Sequence, residues 1–391
     1  MTRADFREIG HTGGRVTFRV EADADGRLSY SIEVSHSAPR PATLVGVYAL
    51  PEGIVCGNIK MGGVGQPWNP PPVPECIAVM MASDSEGRFG HQCPECATHF
   101  RTAGIPALFP MTCPYCGLRA ESFRFLTPPQ LSYVRHYLVT LQDALGALEP
   151  GNSAEVVIDM DTIAHAMTDA PRPDFYYSSI SQQTQFDCSK CSSFNDVRGR
   201  YVYCAWCGWR NNAFLLKEQM SELRERLNSG MVSPEDAVKQ AVSAFDACCR
   251  SFVDQLETRM TMKASRRAQV KDLLFHNLDR FDEALKTVFD INLTACLGNN
   301  RALIHKLFLR RHVYEHDGGV ATDRYIRQSG DTEVKEGVLI RESLVNVHAL
   351  IGALIRMTDT FDTDFHEIFP PEPFCIEMDR KRRERTKRSN R

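Results

Sequence analysis

Cys93-Pro94-Glu95-Cys96 is followed after sixteen residues by Cys113-Pro114-Tyr115-Cys116-Gly117. Cys188-Ser189-Lys190-Cys191 is followed after twelve by Cys204-Ala205-Trp206-Cys207-Gly208. Each set has the spacing of a four-thiolate tetrahedral zinc site, and two such sets mean that the middle of the chain is built around metal. The spacing predicts two structural Zn²⁺ per chain. A closed four-thiolate site offers no open coordination position, so the chemistry must lie elsewhere. A CPxCG turn aims backbone N–H groups at the thiolates and needs a residue that accepts positive φ. Gly117 and Gly208 suit that role; the first knuckles carry Ala97 and Ser192 instead.

The surrounding composition is that of a folded α+β multidomain chain. Its 391 residues are 43% hydrophobic and 24% charged, enough for several cores. No apolar run reaches the ~20 residues of a transmembrane helix, and the N-terminal residues have no secretory h-region. Fourteen cysteines in such a chain point to a reducing, cytoplasmic setting and metal binding, with no membrane partner. Cys56, Cys76, Cys248, Cys249, Cys296 and Cys375 fall outside the CxxC pairs and read as buried free thiols. The net charge of −3 conceals a tail, Asp379–Arg391, with eight Lys/Arg against two acids, which leaves −9 on the rest. Such a tail is either a solvated, disordered end or a phosphate-contacting arm.

Outward from the cysteines the patterning divides the chain. Residues 1–90 read as a small β domain: Val16, Phe18 and Val20 alternate with polar residues, Asp25-Gly26 marks a turn, and Leu28, Tyr30, Ile32 and Val34 alternate again. Strands are expected near Leu44–Tyr48 and Ile77–Met81, around a Gly/Pro-rich loop at Gly62-Gly63 and Pro70–Pro72. Residues 91–125 form the first ribbon and 126–184 a helical and mixed connector. In the connector, Leu131, Val134, Leu138, Leu141 and Leu145 stripe a helix over 128–148. Residues 185–212 form the second ribbon. Its Tyr201, Tyr203, Trp206 and Trp209 either pack a ribbon with little other core or stack on bases.

Residues 213–370 read as four helices, over 233–260, 265–290, 300–317 and 334–369. Ser233-Pro234 is an N-terminal signal, Gly318-Gly319 a stop, and Ile340, Leu344, Val347, Ile351 and Leu354 a core stripe. Residues 371–391 form the basic tail. The third helix ends Arg310-Arg311-His312-Val313-Tyr314-Glu315-His316. His312 and His316 are four apart and share a face. An imidazole titrates near neutrality and can move the proton of a ribose 2′-hydroxyl, while an arginine holds phosphate and its growing charge. The same residues in a last helical turn also complement the helix dipole. No GxxxxGK[ST], GxGxxG-acid or GxSxG pattern is present, which argues against an ATPase, dehydrogenase or Ser hydrolase.

Arg311-His312-Val313-Tyr314-Glu315-His316, late in the third helix of this bundle, resembles the Rx4–6H motif of the HEPN superfamily over roughly residues 233–370. The polar residue that commonly follows the family arginine matches His312 and favours Arg311, although Arg310 also fits the spacing. The resemblance implies a metal-independent endoribonuclease of toxin or anti-phage abortive-infection type. Arg311, His312 and His316 would act in a site completed by a homodimer, with RNA as substrate and an antitoxin or phage-derived trigger as a further partner. Residues 320–332, with Arg324, Tyr325, Arg327 and Gln328, would be a substrate loop or a plain connection. The alternative is a non-catalytic adaptor: zinc ribbons that bind nucleic acid or protein, dimerised through an inactive bundle.

Overall fold

The computed structural model describes residues 7–10, 12–25, 28–37, 43–60, 67–146, 148–167, 173–177, 182–271 and 277–389. The expected loop at Gly62-Gly63 and the glycine of the Asp25-Gly26 turn lie outside them. The chain divides into two compact units, residues 1–208 with 372–391, and residues 209–371. No helix among the described residues is long and apolar enough to cross a membrane.

The first unit starts from alternating strands. β1 (Arg15–Ala22) buries Val16, Phe18 and Val20, while Thr17 is half-buried and Arg15, Arg19 and Glu21 are exposed. It pairs antiparallel with β2 (Leu28–Ser35) and, on its other side, with β10 (Ser153–Asp159), in the register Val16↔Ile158 and Phe18↔Val156. The segment read as a connector therefore supplies a strand to the N-terminal sheet. A second sheet has the order β4-β3-β5 (Val55–Ile59, Leu44–Ala49, Ile77–Ala82). One core joins both sheets to α1 (Pro128–Leu145) and α2 (Met160–Ala166). Thr127 and Gln130 cap α1 reciprocally, Pro128 occupies its first turn, and Tyr133, Val134, Tyr137, Leu138 and Leu141 form its buried face. Each such side chain contributes roughly 1.5–3 kcal/mol of burial, so the strands of residues 1–90 depend on α1 and β10 for their core.

The two ribbons are one structure. β6 (Phe89–Gln92), β7 (His99–Thr102), β12 (Phe194–Arg198) and β11 (Gln183–Asp187) form a single sheet, in which Asn195↔Thr102 and Asp196↔Arg101 pair the second ribbon with the first. β8 (Met111–Thr112) and β9 (Arg119–Ala120) add a short hairpin. Phe100, Met111, Phe125, Val197 and Val202 fill the core between the two cysteine sets. The basic tail is also structured: it forms α10 (Pro373–Ser389), with Cys375 and Asp379 buried. Pairs at i,i+3 and i,i+4 (Glu377 with Arg380 and Lys381, Asp379 with Arg382 and Arg383) compensate part of its charge and favour the helix over a solvated coil.

In the second unit, α3 (Asn212–Asn228), α4 (Pro234–Arg259), α7 (Arg301–His316) and α9 (Leu344–Ile368) pack on one another, with α4 touching the other three. Ser233 caps α4 through the Asp236 N–H, and Pro234 opens it, as its sequence predicts. Gly318 and Gly319, at φ 61° and 83°, stop α7. The helix expected over 265–290 is instead two pieces, α5 (Ala264–Lys271) and α6 (Leu278–Phe289), with 272–276 outside the description. α9 begins at Leu344, ten residues later than expected. Ahead of it Ile340 N–H bonds Gly319 O, and Leu339 bridges Val320, an extended pairing that competes with helix.

Candidate active site and metal centres

Each cysteine set converges as a metal would require. Cys93 and Cys116 Sγ lie 3.6 Å apart, and Cys96 and Cys113 3.7 Å. In the second set Cys188–Cys207 and Cys191–Cys204 are both 3.6 Å. All four sulfurs of each set lie within 4.8 Å of one another. A tetrahedron with Zn–S of about 2.3 Å puts its sulfurs about 3.8 Å apart, whereas a disulfide needs about 2.05 Å, so the donors fit zinc and not cystine. All four knuckles close with the same bond, from the N–H after the second cysteine to the carbonyl of the first. Ala97 N to Cys93 O is 2.9 Å, Gly117 to Cys113 3.1 Å, Ser192 to Cys188 2.8 Å and Gly208 to Cys204 2.8 Å. That closure imposes positive φ: 72° and 74° at Gly117 and Gly208, and 55° at both Ala97 and Ser192. The two non-glycine residues hold a left-handed conformation that disfavours a Cβ by about 1–2 kcal/mol.

The two candidate arginines differ in kind. Arg310 is 5% exposed. Its guanidinium donates to Glu342 Oε2 at 2.9 Å, Asp331 Oδ2 at 2.7 Å and Tyr325 Oη at 3.0 Å. Burial works against its charge, but these three partners outweigh burial and hold the arginine above its ordinary range. Burial would likewise raise Asp331, yet bonds from Arg310 and Tyr325 keep its carboxyl below the usual value. Burial, then the bond to Asp331, pushes the Tyr325 phenol up to about 12. Arg310 thus ties α7 to α8 (Asp323–Ser329) and to the extended segment leading into α9, and each of its three guanidinium nitrogens is already engaged within the fold.

Arg311 faces a cleft of about 800 Å³, lined also by Arg280, His305, His312, Arg324 and Gln328. Its Nε is buried with no acceptor among the described residues. The His312 ring centroid lies 4.6 Å from that of His316, one turn on. His316 is exposed and does not itself line the cleft, so the site gathers Arg311 and His312 and leaves His316 beside His312 on the outer turn. Residues 320–332, undecided between loop and connection, contain α8, capped by Thr322. Arg324, Tyr325 and Gln328 line the cleft, while Arg327 pairs with Asp323 at 2.5 Å. Sequence reading missed His305 and Arg280. His305 is seven residues before His312, almost two full turns at 100° per residue, so a His305–His312–His316 stripe was readable on one helix face. His305 Nε2 is 3.0 Å from Asp279, which also pairs with Arg301 at 3.3 Å.

The ribbon aromatics pack. Tyr203 is fully buried, Trp206 lies against Phe109 with centroids 5.9 Å apart, and Trp209 stacks on His366 at 3.9 Å. Four of the six other cysteines are buried, whereas Cys56 and Cys296 are half-buried. The first unit also holds a buried polar cluster that its sequence does not announce. Arg101 bonds Asp196 at 2.5 Å and Asp84 at 3.3 Å, beneath Phe175 and Tyr176. Burial pushes Glu8 up to about 8 and Asp84 up to about 6, and lowers His91 and His99 to about 3. Among the described residues only the two cysteine sets converge closely enough to hold a metal ion.

Comparison with protein families, curated proteins and solved structures finds no match to this chain. The functional reading therefore stands on its own residues.

Proposed function

We propose that the second unit is an endoribonuclease of HEPN type. The observation that carries the reading is Arg311, which lines an open cleft and whose buried Nε–H has no acceptor among the described residues, beside His312 and flanked by Arg280 and Arg324. Three guanidinium groups around one cavity suit a phosphodiester, which takes paired N–H donors from arginine. A free ribose 2′-hydroxyl is an internal nucleophile, so the reaction needs only proton transfer and charge stabilisation. His312 and His316 are close enough to serve one phosphate. One takes the 2′-OH proton as O2′ bonds phosphorus, and the other gives a proton to O5′ as the P–O5′ bond breaks. Arg311 stabilises the charge on the non-bridging oxygens. The products are a 2′,3′-cyclic phosphate and a 5′-hydroxyl.

Pairing of two copies through this unit would double a sparse set of groups about a two-fold axis and bring a second exposed His316 to the cleft. In a cell the activity would act as a toxin or anti-phage effector. A second reading, a non-catalytic adaptor, draws on the position of His316 outside the cleft lining. Incubation of labelled RNA with wild type, Arg311→Ala, His312→Ala and His316→Ala separates the two. The nuclease reading expects losses of about 10²–10⁴-fold in each variant with folding retained. No turnover by wild type as monomer or dimer supports the adaptor, and equal turnover by all four proteins rules out Arg311, His312 and His316 as the catalytic groups.

A further inference from the structure

We infer that the groove between α10 and the second zinc ribbon, remote in kind from the nuclease reading, is a docking site for an acidic amphipathic peptide helix. The groove encloses about 700 Å³ within the first unit. The loop at 105–109, the knuckle at Cys191 and one face of α10 form its walls. Leu108 is 61% exposed, Met378 53% and Phe374 44%, three large apolar side chains on one concavity, with Phe109 and Trp206 packed behind them. Apolar side chains scattered singly over a surface need no explanation, but a contiguous concave set does.

The rim is cationic. Lys60, Lys381, Arg382 and Arg385 line it, and the one carboxylate among its described lining residues, Asp379, is taken up by Arg382 and Arg383. Lys60 and Arg385 make no ion pair among the described residues, and both are exposed. The α10 side of the groove is held rigidly to the ribbon. Glu372 N–H bonds Cys207 O at 2.7 Å, Ser192 Oγ bonds Asp379 at 3.3 Å, and Cys375 is buried against Cys191 and Cys207.

An apolar floor with a cationic rim complements a helix that carries Leu or Phe at i, i+4 and i+7 and Glu or Asp on its flanks. Single-stranded nucleic acid fits less well. Bases need open aromatic faces; here Phe109 is engaged with both Trp206 and Phe374, and the two most exposed side chains of the floor, Leu108 and Met378, are not aromatic.

Fluorescence anisotropy with the full-length, zinc-loaded protein tests this. The probe is a labelled peptide helix with Leu and Phe on one face and Glu on the other. The controls are a peptide of the same composition in scrambled order and a labelled uridine oligomer. Saturable binding of the amphipathic probe is expected, weakened at least about tenfold by Leu108→Asp or Met378→Asp, as when a central apolar anchor is lost. Arg385→Glu weakens it too, and Arg311→Ala leaves it unchanged. Circular dichroism and zinc content confirm that these surface variants fold. Absence of saturable binding, or equal binding of the scrambled peptide, overturns the proposal. Tighter binding of the uridine oligomer that is lost in Leu108→Asp gives the groove to nucleic acid. Dissociation of a dimer by Leu108→Asp gives it to a second copy.

Discussion

Replacing Arg310 and Arg311 one at a time should separate a structural arginine from a functional one. Arg310→Ala leaves Asp331 and Glu342, 4% and 8% exposed, without the cation that sits 2.7 and 2.9 Å from their oxygens. Breaking a buried ion pair from one side costs about 3–5 kcal/mol, because the remaining charge is buried alone. Lys306, 3.8 Å from Asp331 Oδ1, can recover part of this for Asp331, and among the described residues no second cation pairs with Glu342, which places the expected cost near 3 kcal/mol. For a unit of this size each kcal/mol moves the melting midpoint by about 2–4 °C, so a drop of roughly 6–12 °C is predicted. Arg311 makes no such network among the described residues, so Arg311→Ala should stay within about 1 kcal/mol of wild type. Calorimetry together with denaturant titration reads both. The double variant Arg310→Met/Glu342→Gln should recover part of the loss, since it removes the orphaned charge. Near-equal stabilities for Arg310→Ala and wild type, or a larger loss in Arg311→Ala, would refute the division of roles.

The metal sites lead to further expectations. Fresh protein should hold two zinc ions per chain by elemental analysis, and Cys93→Ser should release one of them while α3–α9 keep their helical signal. Ala97→Gly relieves a left-handed Cβ at φ 55° and should stabilise the first unit by about 1 kcal/mol; Gly208→Ala, at φ 74° with its Cβ 3.0 Å from Thr112 Oγ1, should destabilise it by a similar amount or more. Stability should also depend on pH. Glu8 and Asp84 hold their protons more tightly when folded, so their contribution is complete below about pH 4 and is lost as pH rises through 6 and then 8. His91 and His99 oppose this below pH 6.5, where the unfolded chain binds protons that the folded chain refuses. The unfolding free energy should therefore fall between pH 6.5 and 8 by about 2 kcal/mol, chiefly from Glu8, and Glu8→Gln should flatten that limb.

Local chemistry was legible in the residues and long-range pairing was not. CxxC spacing located both metal sites, since the donors of each knuckle are three residues apart whatever the rest of the chain does. Ser233-Pro234 and Gly318-Gly319 marked helix ends for the same reason. By contrast, the pairing of Arg15 with Asp159 joins residues on either side of a ribbon, and nothing in the β10 alternation names its partner. The choice between Arg310 and Arg311 rests on Asp331 and Glu342, which are 21 and 32 residues further on, in a segment whose apolar residues imitate helix. The α10 helix was readable in part: its acids stand three and four residues from its arginines. Counting net charge alone hid that spacing.

In the proposed reaction a ribose 2′-hydroxyl attacks its own phosphate under Arg311, His312 and His316. The direct measurement uses a labelled deoxyoligonucleotide that contains one ribonucleotide. Mass spectrometry of the products should show a single cut 3′ to that ribose, leaving a 2′,3′-cyclic phosphate and a 5′-hydroxyl, and Arg311→Ala should not make it. Cleavage at deoxy linkages, a 3′-hydroxyl end, or an undiminished cut by Arg311→Ala would contradict the account.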